Sequence, residues 1–200
     1  MTADDGVSRE TIERLDAYVA LIEKWNPKIN LVSRDALNFL RSRHIHDCTQ
    51  LASLAATQTG AWLDLGSGGG LPGIIIAINR QSAGSPTIMM ESDQRKAVFL
   101  RTVIRELNLS QTTVQTARIE DAQPSAAHHI SARALAPLPK LLGFVHRHLH
   151  PDGTAWLMKG RSWQTEVDEA QRSWFFNLDV IPSITDPEAG ILKIHGLRHA

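Results

Sequence analysis

Five small residues, Gly66-Ser67-Gly68-Gly69-Gly70, follow the short apolar segment Ala61-Trp62-Leu63-Asp64-Leu65 and precede a second apolar run, Leu71 to Ile78. This reads as strand, tight turn and helix, in which glycines let backbone approach a ligand and leave N–H groups open at the helix start. Four glycines in five positions are too concentrated for a plain connector. The spacing Gly68-x-Gly70-x-x-Gly73, with Glu91 about 20 residues on, is that of a dinucleotide site whose acid holds ribose hydroxyls. Asp64 points to a different ligand, because a carboxylate at the tip of the first strand is unfavourable beside a pyrophosphate. S-adenosylmethionine has an amino group, a sulfonium and a ribose but no phosphate. Asp64 would face its methionine end, directly or through water, and Glu91 its ribose diol. A nicotinamide-dependent oxidoreductase remains the rival reading, without an evident hydride-transfer constellation.

These residues need a frame that holds them at one edge. Ile12, Leu15, Val19 and Ile22 recur at helical spacing after a possible cap at Ser8, and the pattern stops at Asn26-Pro27. A second helix is expected over 35–54, capped by Asp35. Past Gly60 the pattern changes to short apolar runs between helices. Strands are expected at 61–65, 88–91, 112–116, 129–132, 153–158, 176–182 and 191–195, with helices after the glycine loop and at 94–108, 137–149 and 163–173. Alternation of this kind predicts an α/β fold with a mostly parallel sheet covered on both faces. The expected division is a helical region, 1–58, packed on one compact α/β unit, 59–200.

Composition sets bounds on the function. The chain has 200 residues, 42% apolar and 21% charged, which excludes disordered, collagenous and disulfide-rich classes. The 21 Lys and Arg balance 21 Asp and Glu, so a uniformly cationic polyanion binder is excluded as well. The lone Cys48 fits a reducing compartment, and its place on an apolar helix face reads as a buried, inert thiol rather than a cytosine-C5 nucleophile. No stretch is apolar enough to cross a bilayer, and Asp4, Asp5, Arg9 and Glu10 leave no signal-peptide core, so the expected location is cytoplasmic. His146, His148 and His150 have no companion ligands, so no metal is expected.

The string Trp62-Leu-Asp-Leu-Gly-Ser-Gly-Gly-Gly-Leu-Pro-Gly73 resembles the cofactor loop of the bacterial 16S ribosomal RNA guanine-N7 methyltransferases, the RsmG or glucose-inhibited division protein B family. The similarity extends to Lys24-Trp25-Asn26-Pro27-Lys28-Ile29-Asn30-Leu31-Val32-Ser33, to Arg43-His44-Ile45-His46-Asp47 and to Arg95-Lys96-Ala97-Val98-Phe99-Leu100. Arg118-Ile119-Glu120, Ser131 to Leu138 and Lys159-Gly160 complete the series in order. The resemblance implies a Rossmann-like methyltransferase sheet with an antiparallel last strand and a helical N-terminal region. It also implies S-adenosyl-L-methionine as methyl donor and 16S rRNA or the small ribosomal subunit as partner, met by a monomer without metal or membrane. Carried over by position, the cofactor contacts are Gly66 and Leu71, Ile119 and Glu120, and Arg133, beside Asp64, Gly68, Gly70 and Glu91 from the loop reading. Two departures stand out. Gly69 replaces a proline found in many members, which should loosen the loop, and Asp186 to Lys193 lacks an arginine that several members carry.

Guanine N7 already presents a lone pair, so its methylation requires positioning rather than a general base. Positioning candidates are His44 and Asp47, three apart on one helical face; Arg133, after a strand; and Lys159, at the end of the fifth. The same pair would serve equally to anchor the helical region to the sheet, and Lys159 could meet RNA phosphate or solvent. Charge is neutral only on average: Lys24, Lys28, Arg34, Arg41 and Arg43 face two acids, Asp35 and Asp47, and residues 94–105 carry four basic residues and no acid. Lys24, Asn26, Lys28, Asn30, Arg34, Arg43, Arg95 and Lys96, interleaved with Trp25 and Phe39, are the RNA-binding candidates, with solvated helix faces the alternative. A small-molecule methyltransferase on the same fold is the further alternative.

Overall fold

The computed structural model describes residues 8–81 and 84–200; Asp4, Asp5 and the side chain of Arg34 lie outside the described residues. Helix α1 (Arg9–Ile29) starts where the Ser8 hydroxyl accepts the Thr11 N–H at 3.1 Å. It runs through Asn26-Pro27, where the sequence pattern stops. Pro27 falls in the last turn, where a missing N–H removes a single helical bond and leaves the turn otherwise intact. The stop is Asn30, at φ 50°, whose N–H returns to the Asn26 carbonyl at 3.0 Å.

Three pieces replace the single helix expected over 35–54. Helix α2 (Arg34–Asn38) is capped by Ser33 rather than Asp35, since the Ser33 hydroxyl accepts the Ala36 N–H at 3.1 Å. A π-helical turn (Leu40–Ile45) follows, in which the His44 N–H reaches back five residues to the Phe39 carbonyl at 3.3 Å. Helix α3 (His46–Ala55) then continues without a break in hydrophobic spacing.

The sheet has seven strands: β1 (Trp62–Leu65), β2 (Thr87–Glu91), β3 (Thr112–Thr116), β4 (Ala127–Arg133), β5 (Leu149–Lys159), β6 (Trp174–Pro182) and β7 (Gly190–His199). Their order is β3-β2-β1-β4-β5-β7-β6, parallel except that β7 runs antiparallel to both β5 and β6. Helices α4 (Gly73–Asn79), α5 (Gln94–Glu106), α6 (Leu138–His148) and α7 (Trp163–Ala170) join the strands. Strand order reverses between β1 and β4, which puts the ligand crevice at their carboxyl ends. The glycine loop leaves β1 at that edge.

Side chains alternate across β1, so Trp62 enters the core beneath α1, α3, α4 and α5 while Leu63 and Leu65 enter the core beneath α6 and α7. Several long-range contacts tie the helical N-terminal segment to the rest of the fold, among them those of Arg80 and Tyr18. Arg80, 1% exposed, donates to the carbonyls of Ala55, Gln58 and Gly60 at 2.7–3.0 Å and lies over the Trp62 ring. Tyr18, fully buried on α1, donates its hydroxyl to the Gly69 carbonyl at 2.6 Å. A Cβ on Gly69 would sit 3.2 Å from the Leu31 carbonyl, so this loop position is held from two sides rather than loosened.

Candidate active site

A cavity of about 600 Å³ opens at the carboxyl ends of β1, β2 and β4. Its floor is the turn from Gly66 to Gly69 and Leu71; Glu91 and Lys96 flank it, and Ile119, Glu120 and Phe144 form the far wall. Positive φ at Gly66 (64°) and Gly68 (55°) lets the turn fold back on itself. A Cβ on Gly66 would come within 2.5 Å of the Leu135 side chain, whereas one on Gly68 would meet only the Gly66 carbonyl, at 3.8 Å. Glycine at 66 is therefore a packing requirement, and at 68 mainly a conformational one.

Glu91 is the best-positioned acceptor of the cavity. One carboxylate oxygen takes the Gly68 N–H at 2.7 Å and the other the Asp93 N–H at 2.8 Å. Two ionised oxygens have about four acceptor positions, so two remain for a vicinal diol.

Asp64, expected to face the cofactor directly or through water, does not line this cavity. Strand alternation turns it onto the Trp62 face, where it is fully buried and Oδ1 accepts the Ser131 hydroxyl at 2.6 Å; that hydroxyl in turn accepts the Trp62 indole N–H at 2.9 Å. Oδ2 is left without a well-formed hydrogen bond, the Gly73 backbone N–H being its neighbour. Burial pushes the carboxyl up to about 6. Gly70 is also displaced from the expected role. Its missing Cβ would clash with Ile74 and with the Tyr18 hydroxyl, so it lets α1 and α4 close under the loop.

The glycine turn is poorly suited to a pyrophosphate. The N–H groups of Ser67, Gly68 and Gly70 are taken by the Met90 carbonyl, Glu91 and the Ser67 carbonyl. At the first turn of α4, where phosphate would dock, a Cβ on Gly73 would meet the Asp64 carboxylate at 2.6 Å. Diol acceptors, apolar walls and a carboxylate packed under the start of α4 fit S-adenosylmethionine instead. Gly66, Gly68, Leu71, Glu91, Ile119, Glu120 and Arg133 are the candidate residues to hold it.

Comparison with known proteins agrees with this geometry. A family profile described as rRNA small subunit methyltransferase G matches residues 11–189. The chain belongs to this family. It is 54% identical over 194 residues to the ribosomal RNA small subunit methyltransferase G of Paracoccus denitrificans, covering 97% of this chain and 99% of that one. Identity to the protein of the same name from Ruegeria sp. is 52%, over 96% and 94% of the two chains. Solved structures share the fold. A TehB-like SAM-dependent methyltransferase from Corynebacterium glutamicum aligns with TM-score 0.59 at 14% identity, over 90% of this chain and 98% of that one. A SAM dependent methyltransferase from Aquifex aeolicus aligns with TM-score 0.60 at 11% identity, over 88% and 97%.

Residues that this family resemblance singled out separate into distinct places. Arg133 and His44 meet at the cavity edge, where the guanidinium donates to His44 Nδ1 and also lies 3.7 Å from the Cys48 sulfur. Burial, then the charges of Arg133 and Arg43, lower the His44 pKa, which keeps the ring a neutral acceptor. Burial pushes the Cys48 thiol up to about 12, so it stays protonated and is no nucleophile. Asp47 faces away, toward the segment after β6, accepting from the hydroxyls of Ser183 (2.6 Å) and Thr185 (2.9 Å). Lys159, at the end of β5, is held by protein groups rather than left in solvent. It pairs with Glu166 at 2.6 Å, 10% exposed, and donates to the Ala136 carbonyl.

Among the RNA candidates, Asn26 is a correction: it is 9% exposed and its Oδ1 accepts the Val32 N–H at 2.9 Å, so it shapes the chain after α1. Lys24, Lys28 and Asn30 are exposed; Arg43 and Arg95 are exposed and paired with Asp186 and Asp93. Lys96 lines the cofactor cavity instead. The sequence reading missed Leu31, Val32, Ser33 and Ala36, which bring the N-terminal region into the cavity wall. Their place directly after the Asn30 stop was the available signal. Among the described residues no group of His, Cys, Asp or Glu could hold a metal ion, and no helix is long and apolar enough to cross a membrane.

Proposed function

We propose that this chain uses S-adenosylmethionine to methylate N7 of a guanine in 16S rRNA, acting in the cytoplasm as a monomer. The observation that carries the reading is the Glu91 carboxylate, a cavity-lining acid fixed by the backbone N–H groups of Gly68 and Asp93. Family membership supports the choice of acceptor. The bound cofactor would supply a methyl group on a sulfonium, an electrophile that needs only a correctly placed lone pair. Guanine N7 loses no proton on alkylation, so the neutral, acceptor-like His44 and the absence of a basic dyad at the cavity edge are adequate. The chain's work is to hold the diol through Glu91, to seat the adenine among Met90, Ile119 and Phe144, and to keep acceptor and methyl in line.

The test is transfer of labelled methyl to unmethylated small-subunit particles and to naked rRNA, followed by nucleoside mass analysis. Wild-type protein gives 7-methylguanosine on at least one of them. Glu91→Gln turns an amide NH₂ toward one of the two backbone donors, which costs about 1–3 kcal/mol and so weakens S-adenosylhomocysteine binding roughly tenfold or more in calorimetry. A wild type that makes no methylguanosine on either substrate overturns the reading.

A further inference from the structure

A second cavity, of about 290 Å³, shares a wall with the first: His44, Arg133 and Ala134 line both. It lies between the π-helical turn, the ends of β4 and β5, and the hairpin segment joining β6 to β7. Small-molecule sites span about 300–1,000 Å³, so the larger cavity is of cofactor size and the smaller one suits a single base. We infer that the second cavity receives the acceptor guanine, and that Asp47 is the residue that reads it. This rests on the methyl-transfer reading above.

The argument begins with adjacency. In methyl transfer the N7 lone pair forms the new N–CH₃ bond as the S–CH₃ bond breaks; its electron pair stays on sulfur, and the positive charge passes to the purine. Nucleophile and leaving sulfur must lie on opposite sides of the methyl, so the acceptor has to occupy space that abuts the cofactor cavity. Shared residues show where that contact is. Ala134, at the boundary, holds φ 51°, a conformation disfavoured for a residue with a Cβ and found where surrounding structure imposes it.

The walls match guanine edge by edge. With N7 and O6 turned to the shared wall, O6 meets the side of Arg133, a donor. The N1–H and N2–H₂ donors of the base then point into the second cavity and need acceptors. Asp47 is built for this: Oδ1 is locked by Ser183 and Thr185, while Oδ2 makes no hydrogen bond among the described residues and the half-buried side chain lines the cavity. Adenine would present the N1 lone pair to that carboxylate and the N6 donor to Arg133, a double mismatch, and sites built on such pairs reject the wrong partner strongly. Met158 and Ile191 supply apolar contact for the ring. At the rim, Arg43 and Arg161 are 52% and 75% exposed in pairs with Asp186 and Glu188. The Arg161–Glu188 pair, exposed on both sides, is worth little, and a nucleotide phosphate can replace its acid.

Two variants test this. Asp47→Asn retains an oxygen for the Ser183 and Thr185 hydroxyls but turns an amide donor into the cavity. Gly160→Phe adds bulk at a cavity-lining position where a Cβ meets no atom within 4 Å, so it fills space without local strain. In both, S-adenosylhomocysteine affinity by calorimetry stays within about twofold of wild type. Single-turnover methyl transfer to unmethylated particles falls at least about tenfold, the cost of one mispaired hydrogen bond to a charged group. Wild-type transfer rates in both variants, or a loss of cofactor affinity equal to the loss of rate, overturn the inference while leaving the methyltransferase reading intact. A wild type that transfers no methyl to guanine overturns that reading itself.

Discussion

Replacing Tyr18 with phenylalanine removes one oxygen from the contact between α1 and the glycine loop. The Tyr18 side chain is fully buried, and burial holds its pKa well above the usual tyrosine value, so the hydroxyl remains a donor to the Gly69 carbonyl. Phenylalanine fills the same space, leaving that carbonyl without its partner in a packed site beside Leu31. An unpaired buried acceptor costs about 1–3 kcal/mol. For a chain of this length each kcal/mol lowers Tm by roughly 2–4 °C, so the expected drop is roughly 2–12 °C. Because Gly69 adjoins Gly68, whose N–H anchors Glu91, cofactor affinity should fall in the same variant. Thermal melts with and without S-adenosylhomocysteine, alongside calorimetry, measure both effects. A Tm within about 1 °C of wild type together with unchanged affinity would refute the claim that α1 pins the loop.

Two other predictions concern buried charge. Asp64, raised by burial to about 6 from an ordinary 3.8, binds a proton more tightly folded than unfolded, so its contribution to stability falls as pH rises through that window. Burial lowers the pKa of His44, His129 and His148, which act in the opposite sense as pH drops below about 6.5. The informative quantity is thus the stability difference between wild type and Asp64→Asn by denaturant titration. It should shift by on the order of 1.4 kcal/mol per pH unit toward the variant between about pH 4 and 6, and a flat difference would exclude the buried carboxyl as its source. Arg80→Met strands three carbonyls that the guanidinium now satisfies, and should cost at least about 3 kcal/mol; a denaturation midpoint equal to wild type would refute its bracing role.

Much of the frame was readable because period and punctuation agree. Gly60, the glycine turn and short apolar runs mark most of the strands, and β3 falls on the expected 112–116. The π-helical turn was not readable: Leu37, Leu40, Ile45 and Cys48 suit an unbroken helix equally well, and one extra residue in a turn leaves no compositional trace. In the site, Glu91, Ile119 and Arg133 line the expected cavity. Asp64 and Gly70 do not, because a strand buried on both faces and a loop packed on α1 turn them inward. The pairing of Lys159 was not readable for a related reason. Its partner, Glu166, sits on the next helix, and pairing across a turn has no local signal.

The π-helical turn has a consequence for what changes this chain can absorb. From Leu40 to Ile45 the backbone carries more residues per turn than an α-helix, and His44 meets Arg133 only because of that surplus. Losing one residue anywhere in the turn would restore α-helical spacing and swing one flank by about 100° relative to the other, taking either His44 or the α2 wall away from the cavity. A side chain at an exposed position such as Ser42 can vary, but the number of residues between Ser33 and Asp47 cannot. A count of positions, rather than any one of them, keeps the two cavities adjoining.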